Sequence, residues 1–205
     1  YLFFEVINNF SHPFFKVVYY FILLNVMVFI MLVLGAPSFC WQRLIDDAST
    51  HVGIELSDVQ GAYLLAILLR FTGKPCFFDK TYGDLLLRAF SGDDTLDNPR
   101  CLRDIADECL LLSGLFPLLA ERRNLDVLYY VGLGKSAYGQ LAKTRGMGLT
   151  SLYQEMDDAF IDVMDVLLTM RVVSGGDSTL TEGLAIRLWS ECGSRHARMY
   201  LAGNV

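Results

Sequence analysis

Apolar residues recur at helical spacing along most of the chain, and capping residues mark where successive runs begin and end. Ser57 and Gln60 form a capping box, and Gly73 with Pro75 just beyond it ends the next apolar run, which predicts a helix over residues 58–72. No run alternates between apolar and polar residues as a half-buried strand does. The predicted fold is therefore all-α, a single bundle-like domain of about six to seven helices. The same signals place the further helices over residues 81–91, 98–114, 117–123, 126–143, 151–172 and 179–201.

The first 40 residues differ from the rest in being apolar almost throughout. From Val17 to Gly35, Asn25 is the only strongly polar side chain in 19 residues. A bilayer-spanning helix needs roughly 20 apolar residues, so the run predicts an N-terminal hydrophobic helix, and a membrane anchor through residues 17–35 is one interpretation of it. The other interpretation, which we prefer, is a start placed too early, because the chain begins with Tyr1 and Met31 would serve as the initiator. We therefore divide the chain into a hydrophobic segment, 1–40, and an all-helical globular domain, 41–205.

Composition narrows the class of protein. Of the 205 residues, 53% are hydrophobic, and the mean hydropathy is +0.38, which excludes an intrinsically disordered chain. The net charge of −6 does not provide the positive field that attracts phosphates, so we expect no nucleic-acid partner. The five cysteines are odd in number and lack C-x-x-C spacing, which indicates a reducing compartment. We expect a cytoplasmic protein, with inner-membrane anchoring as the alternative.

Carboxylates form a stripe along the predicted helix over residues 151–172. Glu155, Asp158, Asp162 and Asp165 recur at i, i+3, i+7 and i+10 and so share one helix face. The first three are candidate ligands for a divalent cation, although such a stripe is also typical of the solvated face of an amphipathic helix. The three histidines are far apart in the sequence and have no ligand spacing. We expect neither a metal nor another cofactor.

A stripe of small residues lies on the predicted helix over residues 126–143. Residues 134–136 read Gly-Lys-Ser, the end of a phosphate-binding loop, but Tyr129 occupies the position of that loop's first glycine. Gly132, Ser136 and Gly139 instead fall along one side of the helix. This spacing predicts the close approach of a neighbouring helix or aromatic ring.

Two segments, residues 102–117 and 128–139, hold more unusual residues than a core requires. They carry Leu-Arg, Asp and Gly-x-Phe-Pro, then Tyr-Tyr and Gly-x-x-Ala-Tyr. In these motifs the chain resembles a group of uncharacterised bacterial all-helical proteins over about residues 55–170, and the resemblance implies no activity. An arginine and an aspartate one helical turn apart can pair, and buried tyrosine hydroxyls need partners. We therefore predict a candidate interhelical pocket formed by Arg103, Asp107, Tyr129, Tyr130 and Tyr138.

The sequence favours a protein without enzymatic activity. No G-x-S-x-G elbow or other catalytic arrangement is present. The high apolar content leaves surface to bury against another protein, so the leading hypothesis is a protein–protein interaction module that forms a homodimer or another homo-oligomer. The alternative hypothesis is a small-molecule-binding or carboxylate-based, metal-dependent helical enzyme.

Overall fold

Regular helices account for most of the chain that the computed structural model describes, namely residues 37–73, 99–122, 126–144, 148–176, 178 and 180–203. We number the helices in chain order. They are α1 (Pro37–Val52), α2 (Asp58–Gly73), α3 (Pro99–Gly114), α4 (Pro117–Arg122), α5 (Val127–Lys143), α6 (Thr150–Asp158), α7 (Phe160–Val173), α8 (Glu182–Cys192) and α9 (Arg195–Leu201).

Side chains satisfy the exposed backbone groups at several helix starts. The Ser57 N–H donates to Gln60 Oε1 at 2.9 Å, and the Gln60 N–H donates to Ser57 Oγ at 3.2 Å, which confirms the predicted capping box. Asp126 caps α5 by accepting from the backbone N–H of Leu128. Thr181 caps α8 in the same manner. These caps explain why the sequence breaks into helices at these residues.

The prediction of an all-α fold is confirmed for the described residues, in which every regular element is a helix. The chain divides into more helices than the six or seven predicted. The single helix predicted over residues 151–172 is interrupted at Ala159, which separates α6 from α7. The last predicted helix is interrupted at Gly193, whose φ of 71° suits a glycine, and Ser194 then begins α9.

Several predictions concern residues outside the described part of the chain. The N-terminal hydrophobic helix and the helix over residues 81–91 both fall there, so these predictions and the division at residue 40 stay predictions. Within the described ranges, no helix has the length and apolar character needed to cross a membrane.

α3 lies at the centre of the packing. It contacts α5 and α7, and α5 also packs against α6. Every residue of α3 from Ile105 to Gly114 is buried, including charged side chains. The α5–α7 contact depends on Gly134, because a Cβ there would lie 2.5 Å from Cε2 of Phe160. The predicted stripe is confirmed at Gly139, where a Cβ would lie 3.0 Å from Oδ2 of Asp157 in α6. It is wrong at Gly132, which is exposed and where a Cβ would meet no described atom within 4 Å.

Candidate functional site

Asp107 of α3 is a buried carboxylate with only 1% of its surface exposed. Its Oδ1 accepts hydrogen bonds from the hydroxyl of Tyr138 in α5 at 2.5 Å and from that of Tyr63 in α2 at 2.9 Å. Its Oδ2 accepts from the guanidinium of Arg70, also in α2. Three donors from two other helices therefore converge on one carboxylate, an arrangement that suits its ionised form.

Arg70 connects this carboxylate to a second one. Its Nη1 donates to Oδ1 of Asp104 at 2.8 Å, while its other terminal nitrogen reaches Asp107. Arg103 also donates to Asp104, at 3.2 Å. The guanidinium that bonds Asp107 is therefore that of Arg70 and not, as the i, i+4 spacing predicted, that of Arg103. Because Arg70 and Asp104 are partly exposed, this end of the cluster lies nearer to solvent.

Aromatic rings enclose the other side of Asp107. Tyr138 stacks on Tyr153 of α6 with ring centroids 6.2 Å apart and an interplanar angle of 20°. Tyr63 meets both rings edge-on, at 6.3 Å from Tyr138 and 6.2 Å from Tyr153. Phe160 of α7 packs against Tyr138 at 6.2 Å. Side chains from α2, α3, α5, α6 and α7 thus meet around one carboxylate. We call Tyr63, Arg70, Asp104, Asp107, Tyr138 and Tyr153 the Asp107 cluster.

Burial controls the ionisation of this cluster. It raises the pKa of the Asp107 carboxyl, while Arg70 and the two tyrosine hydroxyls oppose the rise. Burial and the neighbouring Asp107 raise the pKa of Tyr138 well above its usual range, and the pKa of Tyr63 rises for the same reasons. Both phenols therefore stay protonated at neutral pH and act as hydrogen-bond donors.

Three of the five predicted pocket residues belong to the region around Asp107. Asp107 and Tyr138 meet directly, and Arg103 joins the same region through Asp104. Tyr129 and Tyr130 pack on each other, edge to face, with ring centroids 5.9 Å apart. Tyr130 is buried and Tyr129 is 37% exposed. The structure adds Tyr63, Arg70 and Tyr153, which the sequence analysis did not single out.

The three candidate metal ligands do not form a common site among the described residues. Glu155 accepts from the Ser57 hydroxyl at 3.2 Å, and Asp158 accepts from Gln154 at 3.1 Å. The interruption at Ala159 separates both from Asp162, which belongs to α7. In the described ranges, no group of three or more His, Cys, Asp or Glu side chains is arranged to hold a metal ion.

Another buried carboxylate, Asp165 of α7, binds the start of α9. It continues the predicted carboxylate stripe, and the interpretation of that stripe as a solvated face is wrong at this residue. Its Oδ1 accepts from the Ser194 hydroxyl at 2.5 Å, and its Oδ2 accepts from the Arg195 N–H at 2.6 Å. Thr169 donates to the Asp165 carbonyl at 2.7 Å and lies 2.8 Å from Nδ1 of His196. Burial raises the pKa of Asp165 to about 6 and lowers that of His196 to about 4.

This second cluster contains a serine, a histidine and an aspartate, yet it lacks the geometry of a nucleophilic triad. The Ser194 hydroxyl donates to Asp165, and Ser194 Oγ accepts from the Ala197 N–H as the N-cap of α9. The Nδ1 of His196 faces Thr169. In a triad the serine would instead bond the histidine, and the aspartate would orient that histidine. The cluster therefore anchors a helix end.

Comparison with known proteins adds no relative. No protein-family model, no curated protein and no solved structure matches the chain.

Proposed function

We propose that the chain is a non-enzymatic helical module that acts through contacts with other proteins and that it forms a homodimer. The observation that carries the proposal is the use of both Asp107 oxygens by protein donors from α2 and α5. A general acid or base must be within hydrogen-bond reach of its substrate. A carboxylate that is 1% exposed and holds three protein donors is better suited to joining helices.

The surface of α8 supports the second part of the proposal. Ile186 is 48% exposed and Trp189 is 50% exposed, and one helical turn separates them. Tryptophan is enriched in the centres of protein interfaces. Arg187 lies on the same helix and pairs with Asp126 and Glu191, so charged groups flank the apolar pair. We assign this face of α8 to the contact between two copies, which a two-fold axis would bring together.

Light scattering after size exclusion tests the homodimer in the full-length chain. We expect a dimer for the wild type and a monomer for Trp189→Ala, while Ser190→Ala, an exposed change on the same helix, leaves the dimer intact. Iodide quenching gives a second measurement, because Trp41 is 3% exposed and the quenchable emission comes from Trp189. Dimerisation must reduce that quenching. A wild-type chain that stays monomeric at high concentration would refute the homodimer.

Native mass spectrometry of the same sample tests the absence of a catalytic site. We expect the mass of the polypeptide dimer with no further bound mass. The alternative is a small-molecule-binding or metal-dependent enzyme that uses Arg103, Asp107, Tyr130 and Tyr138. A retained small molecule or metal that is lost in Asp107→Asn would favour this alternative and overturn the proposal.

A further inference from the structure

A groove of about 850 Å³ lies between α1 and α2. One face of α1 lines it from Gln42 to Thr50, with positions at i, i+3, i+4, i+7 and i+8. One face of α2 lines it from Asp58 to Leu65, and the link over residues 54–57 closes one end. At 1.5 Å per residue, the α1 face is about 12 Å long. The volume is within the range of ligand and peptide clefts.

Gly61 has no side chain, so it leaves the backbone of α2 open to the groove at this position. It lies inside a helix, where a glycine destabilises the fold relative to alanine. Its backbone is not in the left-handed region, and an added Cβ would meet no described atom within 4 Å. Neither conformation nor packing against the described residues requires a glycine here. A bare backbone does serve a position that another chain approaches closely.

The rim of the groove is negatively charged. Asp46, Glu55 and Asp58 line it and are exposed, and none takes part in an ion pair within the described part of the chain. They do not converge as metal ligands. Arg195 donates to the Gly53 carbonyl at 2.6 Å and offsets one of the three charges. The remaining field favours an occupant with separated positive charges.

The walls of the groove are partly apolar. Ile45 and Ile54 are buried beneath it, and the half-buried Leu56 and Leu65 present apolar surface to it. An occupant that suits these walls carries apolar groups beside its positive charges.

We propose that the groove between α1 and α2 binds a segment of another protein in which lysine or arginine side chains alternate with apolar ones. This inference rests on the proposed function in one respect, that the chain acts by binding protein. It does not depend on the homodimer, because the α8 face is tested at Trp189 and the groove at Gly61.

Fluorescence anisotropy of the full chain with a labelled peptide tests the proposal. The probe is a peptide of about a dozen residues in which leucine and lysine alternate, which is long enough to span the groove. Gly61→Leu fills the groove and should weaken binding by at least about tenfold. Gly132→Leu places the same side chain at an exposed glycine of α5, where a Cβ would meet no described atom within 4 Å, and should leave binding unchanged. Equal binding by the two variants would overturn the proposal.

Adjacent aspartates supply a charge test within α1. Asp46 lines the groove, whereas Asp47 does not line it and pairs with Arg43 at 3.8 Å. We expect Asp46→Asn to weaken binding about threefold, as the loss of an exposed ion pair does. Asp47→Asn should have no effect. Equal effects of the two changes would indicate non-specific attraction and contradict the assigned groove.

Two further probes distinguish other occupants. A peptide with glutamate in place of each lysine should not bind, and its binding would overturn the assignment of charge. Spermine should compete only weakly, because it lacks apolar side chains. Binding of spermine as tight as that of the peptide would assign the groove to a small polycation instead. If Gly61→Leu turns a dimer into a monomer in light scattering, the occupant is a second copy and the proposal fails.

Discussion

The replacement of Tyr138 by phenylalanine tests whether the Asp107 cluster holds the fold together. The change removes one buried oxygen, which donates to Asp107 Oδ1 at 2.5 Å. Tyr63 stays on the same oxygen at 2.9 Å, and Arg70 stays on Oδ2. The carboxylate therefore keeps two of its three donors. A hydrogen bond to a charged group contributes about 1.5–3 kcal/mol, so we expect the free energy of unfolding to fall by about 2 kcal/mol, a large part of a typical total of roughly 5–15 kcal/mol.

Urea titration of the full chain, followed by circular dichroism, measures this loss. The midpoint should fall while the slope with denaturant stays constant, because the surface exposed on unfolding barely changes. Tyr129→Phe is the matched control on the same helix, since Tyr129 is 37% exposed, and it should shift the free energy by no more than about 0.5 kcal/mol. In a double-mutant cycle, Tyr138→Phe and Asp107→Asn should couple by about 0.5–3 kcal/mol.

The sign of the change separates a structural cluster from a ligand site. Residues placed for function often lower stability, so their removal tends to stabilise a protein. If Tyr138→Phe leaves stability unchanged or raises it, the reasoning above is refuted. The cluster would then be a binding site whose hydrogen-bond donors serve a ligand. A loss of stability equal to that of Tyr129→Phe would refute it as well.

Further predictions concern packing and pH. Gly134→Ala places a Cβ 2.5 Å from Phe160 Cε2 and should destabilise the fold by about 1–3 kcal/mol. Gly132→Ala on the same helix meets no described atom within 4 Å and should stabilise the fold by about 1 kcal/mol. Thermal unfolding curves of the two variants that shift in the same direction would contradict this. Because the pKa of Asp165 is raised from 3.8 to about 6, this group contributes stability that is fully present below pH 3.8 and is lost as the pH rises through 6. The pKa of His196, lowered from 6.5 to about 4, gives stability that is present above 6.5 and is lost as the pH falls through 4. Because the two trends oppose each other, Asp165→Asn should make the free energy of unfolding rise more steeply with pH between 4 and 6.5. Urea titrations at several pH values in which the variant and the wild type show the same dependence on pH would count against the assignment.

The helical fold could be predicted because its signals are local. A capping box such as that of Ser57 and Gln60 involves residues three apart, and it lies where the sequence places it. The interruption at Ala159 has no such signal, since alanine is the best helix former. It separates α6, which packs on α5 and α2, from α7, which packs on α3 and α9. Tertiary contacts therefore decide this boundary.

The candidate site could be predicted only in part because its bonds are long-range. Asp107 and Tyr138 stood out as polar groups in apolar helices, and they do meet across 31 positions of sequence. Arg70 is 37 positions from Asp107, whereas Arg103 is much nearer to it in the sequence. Only the packing of α2 against this region decides which arginine bonds the carboxylate. One usable signal was present. Tyr63 and Arg70 are seven residues apart on a largely apolar helix, which places both on one face.

The two buried aspartates, Asp107 and Asp165, indicate why the core favours one arrangement of helices. The apolar contacts between helices are rich in leucine and alanine, which tolerate small shifts along an interface. A buried carboxylate tolerates none, because a shift that removes one donor leaves a charge without compensation. Asp107 fixes α3 against α2 and α5, and Asp165 fixes α7 against α9. Because groups committed in this way are not available to a substrate, we proposed the groove beside Gly61 and the exposed Trp189 as the places where other molecules bind.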